Sequence, residues 1–137
     1  MIKKTINDIT LGDTSVFEKT ITETDIFAFA GICGDFNPLH VSEAFAATTR
    51  FQGRIAHGML TASLIDYTLT DIIGLGGIHI SQLVQFSAPV MIGDTIRATS
   101  KVEEIILEKR RVKISSTLTN QNGDIVLTGT AETKVPD

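Results

Sequence analysis

The longest apolar segment of the sequence runs from Gly58 to about Ile73, in the stretch GMLTASLIDYTLTDII. It is apolar on most of the circumference of a helix, so a helix here must be buried nearly all round. At the usual rise per residue, such a helix would be ~24 Å long. The glycines of GLGG, at positions 74–77, predict where it ends.

After this segment the hydrophobic period changes to alternation. Four stretches alternate apolar and polar residues: GIHISQLVQFSAPV, DTIRATSKVEEII, RVKISSTLT and DIVLTGTAETKV. In the first, Ile78, Ile80 and Val84 are predicted to share one face. The pair Asn122-Gly123, between the last two stretches, is a strong hairpin signal. Long strands joined by short turns predict an antiparallel sheet with one face exposed to water.

The N-terminal third predicts one more strand and one more helix. The stretch TSVFEKTI, residues 14–21, alternates like a short strand. Thr22 with Asp25 predicts a helix start, because a hydroxyl and a carboxylate there satisfy free backbone N–H groups. Cys33 lies on the apolar stripe of this helix, where we expect it to pack. Gly34 predicts the left-handed residue that closes the helix.

A single buried helix and an antiparallel sheet predict an α+β fold in which a curved sheet wraps around the helix. Such a sheet keeps an exposed edge, and pairing of that edge with a second copy would hide it. We therefore predict a homodimer. The length of 137 residues is that of a single domain, which we expect to span residues 1–137.

Composition narrows the class of protein. Hydrophobic residues make up 42% and charged residues 20%, which is typical of a chain with a sizeable core rather than of a disordered one. The net charge of −4, with KRR at 109–111 as the densest basic cluster, argues against a nucleic-acid partner. No apolar run reaches the ~20 residues of a membrane span, and the first residues lack a secretory pattern, so we expect a cytoplasmic protein.

The stretch GDFNPLHV, residues 34–41, places an acid, an amide, a proline and a histidine together. On a continuous helix, residues five apart point roughly 140° apart. Pro38 prevents a continuous helix and pushes Asn37 into an extended conformation. We therefore expect the chain to turn here, so that Asp35 and His40 converge on one cavity. Asn37 is expected to brace the turn through its own amide.

A carboxylate and an imidazole aimed at one point hold and activate a water molecule, with one removing a proton while the other positions the water or donates a proton. Histidine suits this task because it titrates near neutrality. The alternative is that Asp35 caps a turn and His40 is a hydrogen-bonded core histidine. The accompanying glycine, proline and asparagine favour the functional interpretation.

Gly58, after His57, stands directly before the predicted buried helix. Unpaired N–H groups and the dipole at a helix start favour a developing negative charge. A glycine also lets a substrate carbonyl approach the backbone closely, which makes Gly58 a candidate oxyanion hole. From the residues alone, a glycine that only begins the helix is an equally good interpretation.

Three segments carry a resemblance to a known family. GDFNPLHVSEAFA (34–46) and GRIAHGMLTASLI (53–65) resemble the MaoC-like (R)-specific enoyl-CoA hydratases, and QFSAPVMIGDTI (85–96) is similar to that family's segment after the central helix. The resemblance implies a hot-dog fold, homodimers and reversible hydration of trans-2-enoyl-CoA to (R)-3-hydroxyacyl-CoA. It implies Asp35 and His40 as the catalytic pair, Gly58 as the N–H that polarises the thioester, and Asn37 as the residue that holds the loop.

One position departs from the family pattern. Relatives carry a serine on the central helix where this chain has Asp66, and Ser63 lies one turn earlier on nearly the same face. We therefore name Ser63 and Asp66 as candidate substrate-binding residues. No cofactor is implied, and no cluster of metal ligands is visible in the sequence, so no metal is expected.

Two other functions compete with hydration. Hot-dog thioesterases often use a carboxylate on the central helix, and Asp66 would supply one, but the GDFNPLH loop then has no obvious purpose. A non-catalytic module that binds acyl-CoA is the second alternative, and it would not require a positioned acid–base pair.

Overall fold

The protein folds as a five-stranded antiparallel sheet against one long helix, in a computed structural model that describes residues 1–136. The strands lie in the order β1-β3-β4-β5-β2. The helices are α1 (Glu23–Cys33), α2 (Pro38–Val41), α3 (Glu43–Ala46) and α4 (Gly58–Ile73). The strands are β1 (Thr14–Thr20), β2 (Ile78–Phe86), β3 (Thr95–Ile106), β4 (Arg111–Thr119) and β5 (Ile125–Lys134). No helix within residues 1–136 is long and apolar enough to cross a membrane.

Helix α4 begins and ends where the sequence predicts, at Gly58 and Ile73. Its backbone stops at Gly74, whose φ of 85° is accessible to glycine at little cost. The side chains of α4 that form the core are Leu60, Ala62, Leu64, Ile65, Leu69, Ile72 and Ile73. They pack on the apolar face of the sheet, which confirms the α+β arrangement of a sheet around a central helix.

A chain of buried hydroxyl groups joins α4 to the sheet. Thr68 Oγ1 lies 2.6 Å from Ser100 Oγ, which lies 2.7 Å from Ser116 Oγ. All three side chains are buried. Because a buried hydroxyl without a partner is costly, this chain favours one rotation of α4 on the sheet. That rotation leaves Met59 and Asp66 on the exposed side of the helix.

Helix α1 has the predicted ends. Thr22 and Asp25 form a reciprocal capping box at its start, and Gly34 closes it with a φ of 78°. The prediction that Cys33 packs is wrong, since its side chain is exposed. Cys33 follows the periodicity of the apolar stripe, but at its position the helix borders an open cavity instead of a packed neighbour.

Strand β2 forms one edge of the sheet and departs from the predicted alternation. Its register with β5 shifts between His79 and Ser81, so that His79 stands opposite the buried Thr133 and shares the face of Val84. The prediction that Ile78 shares a face with Val84 is therefore wrong. The extra residue of a β-bulge changes which side chains share a face, and alternation alone does not reveal it.

Candidate active site

The turn between α1 and α2 brings Asp35 and His40 together. Pro38 begins α2, and Asn37 before it accepts a hydrogen bond from the backbone N–H of Leu39 through Oδ1 at 3.1 Å. The Asp35 carboxylate accepts from the N–H of Asn37 through Oδ1, also at 3.1 Å. The other carboxylate oxygen of Asp35, Oδ2, then lies 3.9 Å from His40 Nε2.

A hydrogen bond between His40 and Ile55 determines that the ring nitrogen of His40 facing Asp35 is a hydrogen-bond acceptor. His40 Nδ1 lies 2.8 Å from the carbonyl oxygen of Ile55. A carbonyl only accepts, so Nδ1 carries a hydrogen, and neutral His40 presents a lone pair at Nε2. The 3.9 Å gap from Nε2 to Asp35 Oδ2 is too long for a direct hydrogen bond and suits one bridging water. His40 is buried, whereas the Asp35 side chain is 52% exposed.

The backbone N–H of Gly58 lies at the start of α4, directly after His57. It has no acceptor among residues 1–136, as expected for the first N–H groups of a helix. A Cβ atom built on Gly58 would lie 2.7 Å from Cε1 of Phe86. A larger residue at position 58 would displace the Phe86 ring, which packs on the backbone here, and Gly58 lines a cavity together with His40.

His57 is a residue of the site that the sequence analysis did not single out. It is 3% exposed, and its Nε2–H donates to the carbonyl oxygen of Asp35 at 2.9 Å. Its ring stacks on His40, with centroids 3.9 Å apart and planes inclined by 29°. Nδ1 of His57 has no partner among residues 1–136. His57 thus holds both the backbone of Asp35 and the ring of His40.

Arg54 fixes the flanks of the turn. Its guanidinium group donates to Glu23 at the start of α1 and to Glu43 at the start of α3. The hydrogen bond to Glu23 has the larger effect and the one to Glu43 the smaller, and both raise the pKa of Arg54, so its guanidinium group stays charged. The loop before α4 is thereby tied to the two helices on either side of Asp35 and His40.

Asp35, His40 and His57 also form the group of possible metal ligands in the described residues, with one ligand atom from each lying within 4.8 Å of the others. Their orientation does not suit an ion. Imidazole lone pairs lie in the ring plane, and zinc requires nitrogen atoms that point at it from about 2.0–2.1 Å. In two rings stacked face to face, the lone pairs run side by side instead of converging on one point.

Ser63 and Asp66 lie outside this cluster. Ser63 Oγ donates to the carbonyl of Leu60 within its own helix at 2.7 Å. Asp66 is exposed, and its Oδ1 lies 3.2 Å from Nδ1 of His79 on β2. The structure of one chain therefore brings Asp35, His40 and Gly58 together and leaves both α4 candidates on an exposed face.

Comparisons with known proteins point to one family. A family profile described as MaoC like domain matches residues 9–123. The chain is 45% identical to a 3-hydroxybutyryl-CoA dehydratase from Methylorubrum extorquens over 130 residues, covering 94% of this chain and 82% of that protein. It is also 45% identical to an (R)-specific enoyl-CoA hydratase from Rhodospirillum rubrum over 130 residues, covering 94% of this chain and 90% of that protein.

A solved structure agrees with these sequence relatives. The unliganded R-hydratase from Pseudomonas aeruginosa superposes with a TM-score of 0.91 at 36% identity, covering 97% of this chain and 86% of that one. Fold and sequence thus agree on a hot-dog arrangement, and the relatives carry the names of hydro-lyases.

Proposed function

The chain belongs to the MaoC-like domain family, and we propose that it is an (R)-specific enoyl-CoA hydratase that reversibly adds water to trans-2-enoyl-CoA. One observation carries this proposal: Asp35 Oδ2 and His40 Nε2 lie 3.9 Å apart, and His40 lines the same cavity as Gly58. Two proton acceptors are thereby placed beside a backbone donor, which is the set of groups that hydration of an enoyl thioester requires.

In the proposed reaction, one water molecule lies between Asp35 and His40. The pair removes a proton from this water, and the resulting hydroxide adds to the β-carbon of the double bond. Negative charge moves through the α-carbon to the thioester oxygen, where the N–H of Gly58 stabilises it. The pair then returns the proton to the α-carbon, so that one water supplies both the hydroxyl group and the hydrogen.

The hydrogen bonding of His40 determines which of its two ring nitrogens takes part in the reaction. Since Nδ1 of His40 donates to the Ile55 carbonyl, Nε2 is the atom of that ring that exchanges the proton. Asn37 holds the turn that aims Asp35 Oδ2 at the same water. No step requires a cofactor or a metal ion.

Turnover of purified protein tests the proposal. Enoyl-CoA esters of four to twelve carbons should be hydrated to the (R)-3-hydroxyacyl products, identified by chiral chromatography, and chelators should leave the rate unchanged. Free crotonate should react far more slowly than crotonyl-CoA, because its carboxylate already carries negative charge and resists becoming an enolate. Release of free thiol from saturated acyl-CoA would instead indicate a thioesterase, and tight binding without turnover would indicate a binding module.

We further propose that the active protein is a homodimer paired through β2. This edge strand exposes four large apolar side chains: Ile78, Ile80, Leu83 and Phe86. An exposed apolar edge strand is a template for pairing with another chain. A second copy on this side would also cover the exposed face of α4, where Ser63 and Asp66 would line the path of the acyl chain.

Sedimentation velocity at micromolar concentration tests the dimer. Wild-type protein should sediment with the mass of two chains. Ile80→Lys should shift the equilibrium toward monomers, since a lysine on an edge strand opposes pairing. A wild-type monomer at that concentration would contradict the proposal.

We also propose that the enzyme acts in the cytoplasm, where its charged substrate is retained.

His57 is proposed as a positioning residue, and two substitutions separate its contacts. His57→Gln keeps an amide N–H at the same number of bonds from Cβ but loses the ring, whereas His57→Phe keeps a ring but loses the donor. If the hydrogen bond to Asp35 positions the pair, kcat should fall about tenfold in the phenylalanine variant, from one unsatisfied carbonyl. The glutamine variant should recover most of the loss, with KM unchanged in both. Equal losses in the two variants would contradict this role.

A further inference from the structure

Two cavities meet at His40 and Gly58. One, of about 260 Å³, is also lined by Arg50, Phe51 and Ser87. The other, of about 270 Å³, is lined by Asp35 and by apolar residues that include Phe29 and Met59. The carbonyl of a thioester bound at Gly58 has the acyl chain on one side and the carrier arm, which bears the sulfur atom, on the other. Each of these two parts of the substrate therefore has one cavity to extend into.

The position of Asp35 decides which cavity takes which part of the substrate. In the proposed hydration, the reacting carbons lie on the acyl side of the carbonyl and must meet the water held by Asp35 and His40. Asp35 lines only the cavity with Phe29 and Met59. The acyl chain therefore extends into that cavity, and the carrier arm extends into the cavity that Arg50 lines.

Arg50 differs from three other arginines of the chain because it forms no ion pair with a carboxylate of residues 1–136. Arg54, Arg97 and Arg111 each form an ion pair with a glutamate. Within the range 1–136, Arg50 has no carboxylate within 4.0 Å, and its guanidinium group lies 4.7 Å above the centre of the Phe51 ring. The side chain is exposed at the cavity and carries an uncompensated positive charge in a chain of net charge −4.

We infer that the cavity with Arg50 binds the phosphopantetheine arm of the carrier and that Arg50 binds its phosphate group. The inference rests on the proposed hydratase function. An arginine fork suits phosphate because it donates two parallel hydrogen bonds, and contact with the Phe51 ring restricts the guanidinium group in advance. Coenzyme A and acyl carrier proteins both present this arm, so the recognised chemistry is common to both.

Three crotonyl thioesters test the inference: those of coenzyme A, of a holo-acyl carrier protein and of pantetheine, which lacks the phosphate. With Arg50→Ala, KM for the coenzyme A and carrier-protein esters should rise about tenfold, the worth of a charged hydrogen bond at an exposed site. The increase should disappear with the pantetheine ester. Arg97→Ala, which removes an exposed arginine from β3, serves as the matched control and should leave all three KM values unchanged.

Each other result has a defined meaning. An equal KM increase with the pantetheine ester, or no increase with the coenzyme A ester, would overturn the role of Arg50. An increase with coenzyme A alone would assign Arg50 to the nucleotide phosphates and overturn the phosphopantetheine assignment. Failure of the wild-type protein to hydrate any of the three esters would refute the proposed function itself, and this is distinguishable from a failure of the Arg50 role alone.

Discussion

The His40→Ala variant is expected to hydrate crotonyl-CoA about 10²–10⁴-fold more slowly than the wild-type protein, the usual contribution of a positioned acid–base group. The reason is that Nε2 of His40 is the ring nitrogen left free by the bond from Nδ1 to Ile55. The loss should appear in kcat, whereas KM should change little, because the imidazole acts on water and not on the carrier arm.

A double variant tests whether His40 and Asp35 act as a unit. If both groups act on one water, adding Asp35→Asn to His40→Ala should cost much less than the product of the two single losses. Steady-state kinetics of the three variants give this comparison directly. Fully multiplicative losses would show that the two residues act in independent steps.

Several features of the fold were predictable because they depend on local chemistry. The ends of α4 follow from an apolar segment bounded by Gly58 and the glycines after Ile73. The end of α1 at Gly34 follows from the left-handed conformation that glycine adopts at low cost. The asparagine brace in the 34–41 turn is likewise a local hydrogen bond, between Asn37 and Leu39.

Features that depend on distant contacts were not predictable. The exposure of Cys33 depends on what lies opposite α1, and its helical periodicity contains no information about that. The role of His57 depends on a hydrogen bond across 22 positions to Asp35, together with a stack on His40. The signal available in the sequence was its position, as one of only three histidines and next to Gly58.

The place of Asp66 also needed the structure. On a helical wheel, a residue two turns into α4 could face either the catalytic turn or the open side of the sheet. The rotation favoured by the buried Thr68 and Ser100 hydroxyls puts Asp66 on the exposed face beside His79. The Asp66 carboxylate is therefore not part of the group that Asp35, His40 and His57 form, and its side-chain partner is His79.

The Asp35→Asn substitution removes the basicity of the carboxylate and retains its shape. The new amide oxygen can still accept from the N–H of Asn37, so the turn should persist. The amide cannot take a proton from the bridging water, and hydration should slow by about 10²–10⁴-fold. Asp124→Asn, in the exposed β4–β5 turn, is the matched control and should keep the wild-type rate.

The most direct test of the proposed mechanism is kcat for crotonyl-CoA hydration by Asp35→Asn protein whose circular dichroism and thermal midpoint match those of the wild type. We predict a kcat at least about 10²-fold below the wild-type value, with KM nearly unchanged. A folded Asp35→Asn enzyme that hydrates crotonyl-CoA at a near-normal rate would contradict the assignment of Asp35 and His40 as the catalytic pair.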